Sequence, residues 1–282
     1  MDNWVYINDD FVRESQAEIH YKDLAIQRGY GVFDFFKVLN KIPVFLEDHL
    51  NRFFFSAIEM RLPLTQSKKE LKDIIDTLIA KNQVLNCGIR ITLTGGISPD
   101  GYQLSSPNLI ISTQILQLPD RQQFEKGVKL ISYAHQRQLP HIKTIDYLMA
   151  IWLQPLLVKN KADDILYHQN GTISECPRSN FFIVTENEKI VTPACNILKG
   201  ITRMKIKEVV SSFSELEERD ITISDVRAAK AAFITSTTKM VLPVTQIDEM
   251  SFQKNNNIIR KISDQLQLMV ESQTQNEFIK FR

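Results

Sequence analysis

The first part of the chain alternates strand-like and helix-like patterns of hydrophobic residues. Apolar residues cluster densely over 31–39, as in a buried strand, whereas over 46–60 they recur every three or four positions, as on one face of a helix. Ser67 and Glu70 have the spacing of a capping box, which predicts a second helix starting there. The predicted strands are 4–8, 11–13, 31–39, 43–45, 88–94 and 109–116. Together these elements predict a small α+β domain over 1–118.

A polar stretch that starts with a proline, 119–126, is interpreted as a linker to a larger domain over 127–282. The strongest turn signal in this second part is Asn170-Gly171, a pair typical of tight hairpins. The predicted strands are 128–134, 165–169, 172–174, 180–185, 189–192, 231–236 and 241–247, and the predicted helices are 144–158, 201–212 and 254–277. The prediction for the whole chain is therefore an α+β protein with a small N-terminal domain and a larger, β-rich C-terminal domain.

Composition excludes several classes of protein. The 282 residues are 43% hydrophobic and 24% charged, which is ordinary for a globular chain, and the net charge of +1 gives no reason to expect a nucleic-acid partner. No apolar run approaches the roughly 20 residues that a membrane span needs. The N-terminal residues lack the basic start and apolar run of a signal peptide. We therefore expect a cytoplasmic protein with no membrane partner.

Cysteine, histidine and glycine usage narrows the chemistry. Cys87, Cys176 and Cys195 match no zinc-binding spacing and the five histidines are scattered, so we expect no metal. The nine glycines form neither a GxGxxG nor a GxxxxGK[ST] motif, which argues against dinucleotide and P-loop phosphate binding. A phosphate group, if one is bound, needs a different device.

Five places in the chain could carry chemistry, and each also has an ordinary structural explanation. Lys143 follows a proline at a predicted helix start, where burial would lower the pKa of its amine, yet it could be a surface lysine. Glu175, between two strands, could be functional or could solvate a turn. Residues 200–202 open a helix whose N–H groups bind anions or water, and the hydroxyls of 236–238 suit a phosphate or a local turn. Arg52 could bind an anion or face solvent.

The order and spacing of these places are far more specific than any one of them. Together with their neighbours they resemble the class IV pyridoxal-phosphate aminotransferases, which include branched-chain aminotransferases, D-amino acid aminotransferases and aminodeoxychorismate lyase. The matching stretches are 29–34, 47–52, 142–144, 173–175, 179–182, 192–203 and 236–244. The resemblance covers most of the chain. It implies the two-domain D-amino acid aminotransferase-like fold, with a site between the domains that a homodimer completes.

The resemblance also implies the cofactor, pyridoxal 5'-phosphate, and a role for each matching residue. Lys143 forms the Schiff base with the cofactor aldehyde and then shuttles a proton, and Glu175 pairs with the pyridine nitrogen so that the ring can accept electrons. The phosphate is assigned to the Arg52 guanidinium, the backbone N–H groups of Ile201 and Thr202, and the hydroxyls of Thr237 and Ser236. The implied substrates are an amino acid and a 2-oxo acid.

The first matching stretch departs from the family pattern, and this leaves the substrate open. Arg28 stands where the family has an aromatic residue, Tyr30 where it has an acid, and Asp34 where it has a longer acid. If 28–32 is a strand, Arg28 shares a face with Tyr30 and Val32, and we hypothesise that Arg28 binds a substrate carboxylate. The alternative is that it faces a dimer partner or solvent. The further substrate candidates are Phe33, Arg90 and Thr238.

The remaining sequence signals rank the activities within the family. D-amino acid aminotransferases hold the substrate carboxylate with an arginine where this chain has Gly95, which favours an L-amino acid donor, branched-chain or otherwise apolar. The alternatives are a D-amino acid aminotransferase and a lyase that eliminates pyruvate, because the loop 94–102 resembles the glycine-rich loop of aminodeoxychorismate lyases. A non-catalytic cofactor binder is a third alternative, and the presence of Lys143 argues against it.

Overall fold

The computed structural model describes residues 2–280, and for 276–280 the backbone alone. The described chain divides into two compact units. The first unit contains 2–116, 142–146 and 273–280, and the second contains 117–141 and 147–272. Helices and sheets occur in both, so the predicted α+β class is confirmed. No helix among the described residues combines the length and apolar character that a membrane crossing requires.

The first unit is built on one antiparallel sheet of six strands. In chain order its elements are β1 (Trp4–Ile7), β2 (Asp10–Arg13), α1 (Leu24–Arg28), β3 (Gly31–Leu39), β4 (Ile42–Pro43), α2 (Leu46–Glu59), α3 (Lys68–Asn82), β5 (Cys87–Thr94) and β6 (Leu109–Gln114). The sheet order is β2-β1-β6-β5-β3-β4. The dense apolar run that predicted a strand over 31–39 has the bounds of β3.

Side chains along β3 alternate between the helix-packed core of this unit and the opposite face of the sheet. Val32, Phe36 and Val38 are fully buried in one cluster with the apolar faces of α2 and α3. Phe33 and Phe35 alternate with them and therefore lie on the opposite face of the sheet. The predicted capping box at Ser67 and Glu70 is confirmed, because both of its reciprocal hydrogen bonds are present.

The second unit is built on a larger mixed sheet. Its strands are β7 (Val128–Ala134), β8 (Asp164–Gln169), β9 (Thr172–Ile173), β10 (Glu175–Cys176), β11 (Ser179–Val184), β12 (Ile190–Thr192), β13 (Leu216–Glu218), β14 (Ile221–Thr222), β15 (Ala231–Ser236), β16 (Met240–Ile247) and β17 (Met250–Ser251). The main order is β13-β12-β11-β15-β16-β7-β8-β9-β14, with β10 paired to β11 and β17 to β16. The helices are α4 (Arg121–Lys126), α5 (Leu148–Trp152), α6 (Gln154–Asn160), α7 (Ile201–Val210), α8 (Ile223–Arg227) and α9 (Asn257–Lys280), of which 257–272 count with this unit.

Two features differ from the predicted domain layout. The stretch 119–126 contains α4, which a capping box of Asp120 and Gln123 opens, and it belongs to the second unit. Residues 142–146, which we expected in the large domain, belong to the first unit. The reason is backbone pairing with β3, where Thr144 bridges Val32.

The predicted helix over 144–158 is confirmed only from residue 148 onward, and it is interrupted at residue 153. Residues up to 147 do not form a helix, α5 begins at Leu148, and a new helix, α6, begins at Gln154. Pro155 lies in the first turn of α6, where its missing N–H does no harm, but it could not continue a helix from α5. The segment 142–145 instead forms backbone hydrogen bonds with β3. The periodicity of apolar residues could not reveal this pairing, because its partner is distant in the sequence.

Candidate active site

The backbone of Lys143 is held beside β3 by hydrogen bonds. The N–H of Phe33 donates to the carbonyl of Lys143 at 3.0 Å, and the N–H of Ile145 donates to that of Gly31 at 3.0 Å. The N–H of Lys143 in turn donates to Oγ of the fully buried Ser56 on α2 at 3.3 Å. The backbone of this lysine is therefore fixed on both sides. Sequence reasoning placed it at a helix start, and the structure places it beside a strand.

The Phe33 ring gathers two cationic side chains. Nζ of the half-buried Lys143 lies 4.4 Å from the ring centroid, and Cζ of Arg90 lies 4.0 Å from it. Arg90 pairs with Phe35 in the sheet register, which puts its side chain on the same face as Phe33. An amine, a guanidinium and an aromatic ring so arranged suit a substrate that carries a carboxylate beside its reacting group. The structure thus brings three of the predicted residues together.

Arg52, the predicted phosphate ligand, is also part of a buried ion-pair cluster that the sequence did not reveal. Nε and Nη2 of Arg52 both donate to the Asp34 carboxylate at 2.8 Å, and Nδ1 of His49 lies 2.7 Å from the same group. Burial by itself would raise the pKa of Asp34, but Arg52 and His49 outweigh it and hold that pKa well below its usual range. Burial lowers the pKa of His49. Nη1 of Arg52 makes no hydrogen bond within the described part of the chain, so one edge of the guanidinium remains for an anion.

In the second unit, Glu175 is buried and its carboxylate is surrounded by donors. Oε1 accepts from Nη1 of Arg137 at 2.9 Å. Oε2 accepts from the backbone N–H of Leu198 at 3.0 Å and from Nδ2 of Asn180 at 3.3 Å. Hydrogen bonds to the charged form favour it, so this carboxylate is arranged as an anion. Neither Arg137 nor Asn180 was predicted; Asn180 lies in a matching stretch, whereas nothing in the sequence distinguishes Arg137.

The N-terminus of α7 offers donors without a side-chain cap. Gly200 is the N-cap residue, and no side chain caps the helix within the described residues. Ile201 and Thr202, the predicted phosphate ligands, are its first two residues and are buried. The first N–H groups of a helix have no partner inside the helix, and with the helix dipole they suit an anion.

The hydroxyl-bearing segment lies at the end of β15 and in the turn that follows it. It contains Ser236, Thr237 and Thr238, and Oγ of Ser236 accepts from the N–H of Lys239 at 3.1 Å. Directly before it, Oγ1 of Thr235 is buried and has no hydrogen-bond partner among the described residues. Buried hydroxyls are normally satisfied, so this one indicates a missing acceptor. The buried anion with its donors, the uncapped helix and this hydroxyl fit a phosphorylated pyridine ring.

The structural premise for Arg28 is wrong. Arg28 ends α1, which Asp23 caps and which Gly29 terminates in the left-handed conformation at φ 65°. Its side chain is exposed, and Nη1 donates to the carbonyl of Gln27 at 2.9 Å. Tyr30 is directed elsewhere, with its hydroxyl on the carbonyl of Met60 at 2.7 Å. The strand argument for a carboxylate contact at Arg28 therefore does not hold.

Gly95 lies where no side chain fits. A Cβ at this position would lie 2.8 Å from Cβ of Leu24 and 3.1 Å from Cδ1 of Tyr30. Such distances are shorter than ordinary carbon contacts. An arginine here would require Leu24 and the first turn of α1 to move.

No metal-binding cluster of His, Cys, Asp and Glu side chains occurs among the described residues. Cys195 is exposed, whereas Cys87 and Cys176 are buried. Burial raises the pKa of both buried thiols, which makes them poor nucleophiles.

Comparison with known proteins gives consistent matches over nearly the whole chain. Residues 31–247 match the family model described as amino-transferase class IV. A D-alanine aminotransferase of Staphylococcus epidermidis is 28% identical over 98% of this chain and 99% of its own. The branched-chain amino acid aminotransferase of Escherichia coli has a TM-score of 0.87 at 22% identity, covering 94% of this chain and 93% of that chain. A candidate 4-amino-4-deoxychorismate lyase of Legionella pneumophila has a TM-score of 0.82 at 25% identity, covering 92% and 97%.

Proposed function

The chain belongs to the class IV aminotransferases, and we propose that within this family it transfers the amino group of an L-amino acid, branched-chain or otherwise apolar, to a 2-oxo acid. Members of the family work with pyridoxal phosphate, and solved neighbours include a form with that cofactor bound. The observation that carries the proposal is the grouping of Lys143 and Arg90 on the Phe33 ring, because it pairs an amine with a carboxylate-binding group.

We assign residues of the chain to each part of the cofactor. When bound, pyridoxal phosphate supplies an aldehyde that combines with amines and a ring that accepts electrons. We assign Lys143 to the aldehyde and Glu175 to the ring nitrogen, where an anion favours the protonated ring. The phosphate is assigned to Nη1 of Arg52, the N–H groups of Ile201 and Thr202, and the hydroxyls of Ser236 and Thr237. Thr235 joins this set because its buried hydroxyl has no hydrogen-bond partner among the residues that the structure describes.

During the reaction Lys143, Arg90 and Phe33 would each have a different role. Nζ of Lys143 would take the proton from Cα of the amino donor and deliver it to the aldehyde carbon of the cofactor. Arg90 holds the donor carboxylate, and Phe33 covers the apolar side chain. Thr238 stays a predicted substrate contact.

The preference for an L-amino acid rests on Gly95. Already the Cβ of a larger residue at this position would lie 2.8 Å from Cβ of Leu24, so the arginine that the resemblance gives to D-specific members does not fit here without movement of Leu24. The relatives named D-alanine aminotransferases give the competing D-amino acid activity its support. The likeness to the Legionella protein supports the pyruvate-eliminating lyase as the second competitor.

An absorbance experiment with the purified holoenzyme separates these activities. We expect a yellow band that one class of L-amino acids bleaches and a 2-oxo acid restores, and no response from Lys143→Ala. Bleaching by D-amino acids alone would contradict the donor proposal, and pyruvate release without amino transfer would establish the lyase. A protein that takes up no pyridoxal phosphate would overturn the proposed function altogether.

We also propose, from the family resemblance, that two copies form a homodimer in the cytoplasm. Light scattering of the holoenzyme measures the assembly, and a mass near 32.6 kDa would contradict the dimer.

A further inference from the structure

One amide side chain in the second unit touches both the candidate ring-binding and phosphate-binding groups. Nδ2 of Asn180 donates to Oε2 of Glu175 at 3.3 Å and to the carbonyl of Leu198 at 2.7 Å. The N–H of Leu198 donates to the same Oε2 at 3.0 Å. These three groups therefore form a closed hydrogen-bonded triangle. Asn180 is 6% exposed, and Glu175 is 4% exposed, so water does not compete strongly for these bonds.

The other end of the Asn180 amide packs against the start of α7. A Cβ on Gly200 would lie 2.1 Å from Oδ1 of Asn180, so no side chain fits between the Gly200 backbone and this amide. Gly200 has φ −65° and ψ 142°, values open to any residue, so the glycine is needed for space and not for backbone conformation. The path from Leu198 to Gly200 is thus defined by its fit to Asn180.

That path determines where the first N–H groups of α7 point. Ile201 and Thr202 directly follow Gly200, and no side chain caps the helix within the described residues. On the neighbouring strand Thr235 pairs with Asn180, so the buried Thr235 hydroxyl lies on the same face of the sheet. The carboxylate, the helix start and the unpartnered hydroxyl are all arranged around Asn180.

We propose that Asn180 is a positioning residue that couples the two ends of the cofactor site in this unit. It holds the Glu175 carboxylate and the start of α7 at a fixed spacing, so that one molecule with a ring nitrogen and a phosphate meets both. This inference rests on the proposed function, since it takes pyridoxal phosphate as the ligand. It assigns Asn180 no contact with the reacting atoms.

The test compares the affinities of the full chain for pyridoxal phosphate and for pyridoxal, which has the same ring and aldehyde but no phosphate. With Asn180→Ala, we expect pyridoxal to bind about tenfold more weakly and pyridoxal phosphate about a hundredfold more weakly, because each end loses a hydrogen-bonded support. The ratio of the dissociation constant of pyridoxal to that of pyridoxal phosphate therefore falls about tenfold. Fluorescence titration of the cofactor-free protein measures both constants without any turnover.

Asn256→Ala is the matched control. Asn256 is also 6% exposed and lies in the same unit, and its Oδ1 accepts from the N–H groups of Ile258 and Ile259 at the start of α9. We expect this variant to lower the free energy of unfolding and to leave both dissociation constants unchanged. A purely structural role of Asn180 would give the same result for Asn180→Ala, and that result would overturn the proposal.

Gly200→Ala tests the packing half of the coupling. The new Cβ displaces the Asn180 amide, so we expect the ratio of dissociation constants to fall as in Asn180→Ala. The double variant with Asn180→Ala should be no worse than either single variant, because the atom that the Cβ meets is gone. Additive losses in the double variant would count against the coupling.

The outcomes of these titrations distinguish failure of the Asn180 coupling from failure of the proposed function. Equal weakening of pyridoxal and pyridoxal phosphate by Asn180→Ala would mean that Asn180 supports Glu175 alone, and weakening of pyridoxal phosphate alone would mean that it supports α7 alone. Either result overturns the coupling while the proposed function stands. Failure of the unaltered protein to bind pyridoxal phosphate would instead remove the proposed function.

Discussion

At the scale of single residues, the ion-pair cluster of Asp34, His49 and Arg52 explains how a positively charged side chain can be kept inside a folded unit and still bind an anionic ligand. Two nitrogens of Arg52 are bound by Asp34, which fixes the plane of the guanidinium and leaves Nη1 to a further ligand. The departure of the first matching stretch from the family pattern, where Asp34 stands for a longer acid, thus retains a partner for Arg52.

We expect Asp34→Asn to destabilise the first unit by about 3–5 kcal/mol, because it leaves the Arg52 charge buried without its counter-ion. Urea unfolding followed by circular dichroism measures this loss. Asp73→Asn, an exposed carboxylate on α3, serves as the control and should stay within about 0.5 kcal/mol of the parent. Equal stabilities of the two variants would mean that the buried pair contributes little.

Lys37 on β3 is 3% exposed, and burial lowers its pKa from 10.5 to about 8. The folded protein therefore releases this proton before the unfolded chain does, and the free energy of unfolding should rise between pH 8 and pH 10.5. A pKa difference of this size corresponds to about 3 kcal/mol.

Lys37→Met should accordingly be more stable than the parent by up to about 3 kcal/mol at pH 7, and the advantage should vanish as the pH approaches 10.5. Denaturant unfolding of both proteins across this range measures the difference, in which the titration of all other groups cancels. An advantage that does not change with pH would show that the buried charge is not its cause.

At the scale of elements, the segment 142–145 and strand β3 form the part of the first unit on which the chemistry depends. The carbonyl of Lys143 accepts a hydrogen bond from β3, and its N–H donates one to α2. A strand and a helix therefore fix the backbone position from which the lysine side chain extends. Both elements are anchored in the same core, and α3 closes that core from the side of the helices. A less stable α3 would therefore weaken the core that holds the backbone of Lys143 in position.

Ser67→Ala removes the bond of the α3 capping box that the Ser67 hydroxyl accepts from the N–H of Glu70, and it should cost about 1 kcal/mol of unfolding free energy. Thr77→Ala on the same helix is the matched control. Thr77 is exposed and donates back to the carbonyl of Asp73, so its loss should be neutral or slightly stabilising. Urea midpoints of the two variants provide the comparison, and equal midpoints would contradict the role of the cap.

At the scale of the whole molecule, the first unit is not continuous in sequence. The chain leaves it after residue 116, returns for 142–146 and returns again near its end, where Oε1 of Gln273 accepts from the N–H of Phe45. Lys143, proposed to bind the cofactor aldehyde, therefore lies in the second segment of the first unit, 142–146, whereas Glu175 belongs to the other unit.

Because the proposed ligands exist in position only in the folded chain, pyridoxal phosphate should stabilise the protein by mass action. At a cofactor concentration of 100 times the dissociation constant we expect a gain of about 2.7 kcal/mol, and removal of the cofactor should reverse it. Differential scanning calorimetry of the holo and cofactor-free protein measures the gain. Inorganic phosphate at the same concentration is the control, and an equal gain from it would contradict recognition of the whole cofactor.

The sequence by itself determined the family, the cofactor class and most of the elements. The family, predicted from the ordered motifs, and the α+β class, predicted from the pattern of strands and helices, are confirmed. Strands such as 31–39 and 128–134 were predictable because alternation and apolar runs are local properties of the chain. The roles assigned to Lys143, Glu175 and the phosphate ligands stay predictions.

The tertiary structure alone decided which side chains meet. Asp34 with Arg52, Arg137 with Glu175 and Asn180 with Leu198 are pairs far apart in sequence, and no local periodicity records such contacts. The segment around Lys143 reads as a helix start in the sequence, yet its backbone donors and acceptors find better partners on β3. Local propensity is worth less than a hydrogen-bonded, buried pairing with another element, and for that reason the helix predicted over 144–158 was placed to start too early.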